Sequence, residues 1–141
     1  MRRGIEPERL ELRPASFHRD LLAQYSDMDI ALDPFPFSGG HTSCEALWMG
    51  LPVVTLPGDR PVSRQTLGFV ASLNHPRWLQ EWVAADLDDY VRKAVALAGD
   101  PTGLAAIRSS LRGTLAESPL MDAGAFARDW AQAVCGLAGR R

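Results

Sequence analysis

The chain has 141 residues, enough for one domain with its own core, and its 46% apolar content is that of a folded protein. A formal net charge of −2, with Lys93 the only lysine, leaves no basic footprint for nucleic acid. Cys44 and Cys135 stand far apart in sequence with no CxxC and no neighbouring histidine pair, which argues against a disulfide framework or a zinc site and for a reducing compartment, the cytoplasm.

Taken in chain order, the N-terminus carries Arg2 and Arg3 but no apolar h-region, so no signal peptide is expected. No apolar run approaches the ~20 residues of a membrane helix. Arg9 to Pro14 is a short strand candidate, stopped by Pro14. Ser16 can cap a helix running to Gln24, with Leu21, Leu22 and Tyr25 on one face. A second strand follows, apolar at Ile30, Ala31 and Leu32. A helix from Ser43 to Met49 stops at Gly50, with Pro52 just beyond. "PVVTLPG" reads as a third strand, buried on both faces. Pro61 to Asn74 is a helix candidate, and "EWVAA" a fourth, short strand.

The second half is helical. Asp86 caps a helix with Leu87, Tyr90, Val91, Ala94 and Val95 on one face, closed by Gly99. Asp100-Pro101 opens the next, with Asp as cap and Pro at the first helical position. Its apolar stripe is Leu104, Ile107, Leu111 and Leu115. A last helix starts near Asp122 and is expected to bury Phe126, Trp130 and Val134. Alternating strands and helices predict an α/β fold with a parallel sheet of three to four strands and trailing helices, in one domain over residues 1–141.

The stretch "SGGHTS" interrupts strand and helix where parallel α/β sheets bind ligands, beyond the carboxyl end of a strand. A helix N-terminus there offers unpaired N–H groups and partial positive charge to a phosphate. Gly39 and Gly40 allow close backbone approach or positive φ, Thr42 and Ser43 add hydroxyls, and His41 adds a donor. A second reading uses the same residues for structure: Thr42 to Glu45 has the pattern of a capping box. Neither GxxxxGK[ST] nor GxGxxG is present, so a P-loop ATPase and a Rossmann dehydrogenase are disfavoured.

The run "YSDMDIALDPFPFSGGHTSCEALWMGLPVVTLPGD", Tyr25 to Asp59, resembles the nucleotide-sugar half of the O-GlcNAc transferase and SPINDLY-type protein glycosyltransferases. "VSRQTLGF" and the helices from Tyr90 to Trp130 resemble later segments of the same family, so the likeness covers the chain from about Gly4 onward. It implies a partial Rossmann-like domain, the C-terminal half of a GT-B enzyme. The donor is then UDP-GlcNAc, the acceptor a protein hydroxyl, and no metal or other cofactor is expected. By resemblance, Gly39, Gly40, His41, Thr42 and Ser43 take the UDP diphosphate and Glu45 the ribose. A histidine that faces uracil in the family is replaced here by Leu21, leaving Ser16, His18 and Leu21 as base-side candidates. His18 also reads simply as a solvated residue of a first helical turn.

The likeness begins midway through the family's nucleotide-binding domain. It therefore implies a truncated domain without the family's diphosphate lysine, acceptor domain or catalytic base, inactive alone. Lys93 lies in a distant helix and is no substitute. An open sheet edge would then invite self-association or an upstream glycosyltransferase polypeptide. Two alternatives stand beside this: a non-catalytic remnant acting as an interaction module, and a GT-B sugar-nucleotide epimerase relative. Arg64 can approach the diphosphate or pair with Asp59, while Asp29 and Asp33 flank a strand without a metal motif. The tryptophans Trp48, Trp78, Trp82 and Trp130 read as core or interface, with Trp78 and Trp82 marking a face toward a neighbouring domain.

Overall fold

A computed structural model describes residues 4–138; Arg2 and Arg3 lie outside them. After a 3-10 turn at Pro7–Arg9, the elements are α1 (His18–Gln24), β1 (Ala31–Leu32), α2 (His41–Trp48), β2 (Val53–Val54), α3 (Gln65–Ser72), α4 (Pro76–Trp82), α5 (Leu87–Ala98), α6 (Pro101–Ala116) and α7 (Ala123–Ala138).

The chain is mixed α/β and mostly helical. Its sheet is smaller than expected. β1 and β2 pair in parallel, with Ala31 opposite Val53 and Leu32 opposite Val54. A single parallel bridge, Thr55 to Val83, widens it. The expected strand at Arg9 to Pro14 is absent: Leu10 and Leu12 are exposed, and no strand stands beside them to take their backbone groups. In "EWVAA" only Val83 bridges, because Glu81 and Trp82 are spent on the end of α4. Among the described residues β1 has β2 as its one strand neighbour, so its far edge is unpaired by strand and Leu32 is exposed.

The core forms where helices converge on β2. Val53 and Val54 are buried, as a strand covered on both faces requires, and α2, α4 and α5 all contact them. Leu47, Leu51, Val70, Trp82, Leu111 and Leu115 complete it. Each such side chain contributes about 1.5–3 kcal/mol on leaving water. The α6 stripe packs inward as its spacing predicts, with Leu111 and Leu115 buried and Leu104 and Ile107 half-buried.

Several helix boundaries follow the caps. Asp86 accepts from the N–H of Asp89 and Asp100 from that of Gly103, both at 2.8 Å. α2 closes in a Schellman motif: the N–H of Gly50 reaches the Leu47 carbonyl and that of Leu51 the Ala46 carbonyl. Gly50 has φ +87°, and a Cβ there would sit 2.9 Å from the Arg108 carbonyl oxygen.

Other expectations fail on packing. Ser16 does not cap α1: its hydroxyl accepts from Gln24, and the cap position is Phe17. On α5, Tyr90, Ala94 and Leu97 turn inward, while Leu87, Val91 and Val95 face out. On α7, Phe126, Trp130 and Val134 are exposed, because that helix packs mainly against the Pro119–Met121 turn and not onto the core. Trp78 and Trp82 do not form an outer face: both are buried, stacked on each other at 4.9 Å, with His75 stacked on Trp78 at 3.9 Å.

Candidate functional site

The glycine-hydroxyl loop joins the end of β1 to the start of α2, and a buried carboxylate holds it there. Asp33 is 2% exposed. Its Oδ1 accepts from the Gly39 N–H at 2.6 Å and from Ser43 Oγ at 3.4 Å, and its Oδ2 accepts from Thr55 Oγ1 at 2.6 Å. Tyr90 donates to the Asp33 carbonyl at 3.0 Å. One side chain thus ties the loop to Thr55, the residue just after β2, and its backbone to α5.

A second layer of hydroxyls supports the loop from α3. Thr66 donates through Oγ1 to Ser43 Oγ at 3.0 Å or to the Gly39 carbonyl at 3.1 Å, and Ser38 Oγ accepts from the Thr66 N–H at 3.2 Å. Ser38, Ser43, Thr55 and Thr66 are all buried, so these bonds replace water that the groups would otherwise need. Neither Gly39 nor Gly40 has positive φ, and crowding calls for glycine at Gly39, whereas a Cβ on Gly40 would meet only the end of the Gln65 side chain at 3.2 Å. A Cβ on Gly39 would collide with Ser43 Oγ and stand 3.0 Å from Asp33 Oδ1.

α2 starts at His41 with Gly40 as its cap residue, and no side chain caps it. The capping box expected from Thr42 to Glu45 is therefore not formed. Thr42 is already inside the helix, and the Glu45 side chain turns toward α1. The first-turn N–H groups of His41 and Thr42 have no intrahelical acceptor and carry the positive end of the helix dipole. His41 and Thr42 are exposed, whereas Ser43 is buried with its hydroxyl engaged beneath the loop.

Glu45 is 8% exposed, and His18 Nε2 lies 2.6 Å from its Oε1. His41 Nε2 stands 3.9 Å from the same oxygen. The Tyr25 phenol donates to the Thr42 carbonyl at 3.3 Å, tying the end of α1 to the start of α2. Burial pushes the Tyr25 phenol and the Cys44 thiol above their usual values, and the Glu45 carboxylate adds to both shifts. Cys44 is thereby kept as a thiol and is not an activated nucleophile.

Structure gathers Gly39, Gly40, His41, Thr42, Ser43, Glu45 and His18 at one end of β1. Ser16 makes its bond to Gln24 and Leu21 is partly exposed on α1, neither in hydrogen-bond contact with Glu45. Arg64 donates to the Gly58 carbonyl at 2.8 Å rather than pairing with Asp59. Lys93 donates to the carbonyls of Gln80 and Val83 and pairs with Asp89, so its charge is committed elsewhere. A cleft between α4, α5 and α6, lined by His75, Trp78, Lys93 and Leu104, holds none of the residues predicted to bind UDP. Among the described residues no group of three or more His, Cys, Asp or Glu is placed to hold a metal, and no helix is long and apolar enough to cross a membrane. Sequence reasoning missed the anchoring role of Asp33, Thr55 and Thr66. The available signal was an acid closing a strand and a hydroxyl within an apolar one.

The profile of glycosyl transferase family 41 matches residues 1–130. The chain belongs to this family. A probable UDP-N-acetylglucosamine–peptide N-acetylglucosaminyltransferase SPINDLY from Solanum lycopersicum is 42% identical over 127 residues, covering 89% of this chain and 13% of that protein. A UDP-N-acetylglucosamine–peptide N-acetylglucosaminyltransferase from Caenorhabditis elegans is 30% identical over 128 residues, covering 90% of this chain and 11% of that protein. Among solved structures, a mutant of the Thermobaculum terrenum O-GlcNAc transferase superposes with a TM-score of 0.84 at 41% identity, over 94% of this chain and 25% of that one. The chain thus spans a small fraction of the relatives it matches. Membership of a transferase family favours that reading over a sugar-nucleotide epimerase.

Proposed function

We propose that this chain supplies the UDP-binding side of a family 41 glycosyltransferase that moves GlcNAc from UDP-GlcNAc to protein hydroxyls. The observation that carries this is the juxtaposition at the end of β1. An uncapped helix start lies beside a rigidly anchored glycine loop, and a buried carboxylate, Glu45, has no hydrogen-bond partner at Oε2 among the described residues. In this reading the backbone of Gly39 and Gly40, the first-turn N–H groups, and the side chains of His41 and Thr42 take the diphosphate. Ser43 holds the loop from below, Glu45 accepts the ribose hydroxyls, and Leu21 with Ser16 lies on the base side. The helix dipole and these donors neutralise the departing diphosphate without a metal.

The 141-residue chain tested by itself is expected to bind UDP with a Kd on the order of high micromolar to millimolar, and to transfer no sugar. Transfer also needs an acceptor hydroxyl held in line with the anomeric carbon, an orientation worth several kcal/mol. No residue described near the loop supplies it. The unpaired edge of β1 and the exposed stripe on α7 favour a companion polypeptide or a second copy as partner. The setting we propose is cytoplasmic, in keeping with two free cysteines.

The test is a titration of the chain with UDP and 2′-deoxy-UDP. Amide shifts are expected first at Gly39 to Ser43 and Glu45, and Glu45→Gln weakens UDP more than its 2′-deoxy analogue. Shifts clustered around Trp78, or equal weakening of the two ligands, would overturn the assignment.

A further inference from the structure

Glu45 and His18 are 27 residues apart in sequence and joined by a 2.6 Å contact across two helices. The carboxylate is almost buried, whereas the imidazole that meets it is largely exposed, at 64% of its side-chain surface. An ionised carboxylate only accepts hydrogen bonds, so the Nε2 of His18 must carry the proton. His18 therefore donates in either of its protonation states. The bond takes up Oε1 and leaves Oε2 with no partner among the described residues.

The geometry around this contact is directional. The His41 ring lies near the His18 ring, with centroids 6.3 Å apart and planes 27° from parallel. Both imidazoles approach the same oxygen of Glu45, His41 at 3.9 Å, too long for a hydrogen bond. Oε2, without a partner among the described residues and not closed off from solvent, is the oxygen available to a ligand. A glutamate has three rotatable side-chain bonds, and an untethered one loses that freedom only when a ligand orders it.

We propose that His18 is a positioning residue for donor recognition: by holding Oε1 it presents Oε2 of Glu45 to the hydroxyls of a nucleoside ribose. This rests on the reading of Glu45 as the ribose acceptor. It assigns His18 to the carboxylate, not to the base, and leaves the base side to Leu21. It also makes the preference for ribose over deoxyribose depend on a residue that need not touch the ligand.

Calorimetric titration of the 141-residue chain with UDP and with 2′,3′-dideoxy-UDP tests this, using H18A, H18Q and E45A. The wild type prefers UDP, and E45A abolishes that preference. H18A weakens UDP about fivefold and leaves dideoxy-UDP within about twofold, the size expected for losing one charge-assisted bond that orders the acceptor. H18Q, whose amide can donate to the same oxygen, restores most of the UDP affinity. Because dideoxy-UDP uses the same phosphate loop, its unchanged binding also reports that each variant is folded. Equal loss of both ligands in H18A, no loss, tighter UDP binding, or H18Q behaving as H18A would overturn the role of His18. Retention of the UDP preference in E45A would instead overturn the ribose assignment of Glu45, and His18 with it.

Discussion

Replacing Asp33 by alanine removes the acceptor on which the loop hangs. Two donors lose their partner: Thr55 Oγ1, in a residue with no exposed surface, and the half-buried N–H of Gly39. An unsatisfied buried donor costs about 1–3 kcal/mol, the full amount applying to Thr55 and the lower end to Gly39. The contact of Ser43 adds little, because 3.4 Å is long for a hydroxyl and Ser43 retains Thr66 at 3.0 Å. The expected loss is about 2–4 kcal/mol, a large part of the ~5–15 kcal/mol that stabilises a domain. Urea unfolding followed by tryptophan fluorescence measures it. Thr55→Val in the Asp33→Ala background removes the stranded hydroxyl, so the double variant should recover about 1–2 kcal/mol relative to the sum of the single costs. Asp33→Ala within about 0.5 kcal/mol of wild type, or strict additivity with Thr55→Val, would refute the reasoning. UDP affinity should fall in Asp33→Ala under conditions where the chain is still folded, since the Gly39 N–H is released with the anchor.

Gly50→Ala should cost at least about 2 kcal/mol in the same assay, because left-handed backbone is unfavourable for alanine and the new Cβ meets the Arg108 carbonyl of α6 at 2.9 Å. Tyr25 and Tyr90, the two tyrosines of the chain, should ionise above the ordinary tyrosine range in a 295 nm absorbance titration, burial being the main cause for each. Since their folded values are raised, the unfolded chain loses these protons first; stability is unaffected below about pH 10 and declines as pH rises beyond it. Tyr25→Phe with Tyr90→Phe should flatten that decline. Trp82→Phe should change stability by less than about 1 kcal/mol. The volume lost is offset by removing an indole N–H that is buried without a partner, whereas Trp82→Ala, with the cavity it leaves, should cost about 3–5 kcal/mol.

Much of this protein was legible from local sequence because the signals are local. Asp86, Asp100 and Pro101 set helix starts through bonds and dihedrals within a single turn, and Gly50 ended α2 for the same reason. The stripe from Leu104 to Leu115 needed only a helix and one buried side. The family was readable from the near-continuous motif around the loop. Strand number and burial were not, because they depend on what stands alongside. Arg9 to Pro14 has no strand to pair with, and the Phe126, Trp130 and Val134 stripe has no surface to cover it among the described residues. The site divides in the same way. Glycines and hydroxyls at a helix start drew attention to this loop, yet the capping-box and ribose readings competed for the same Glu45. Only the tertiary structure removed the capping box, by starting α2 at His41, and it brought α1 close enough for His18 to hold the Glu45 carboxylate. The anchor at Asp33 arises likewise from a parallel register that sets Thr55 beside it, a distance that no reading of neighbours along the chain contains.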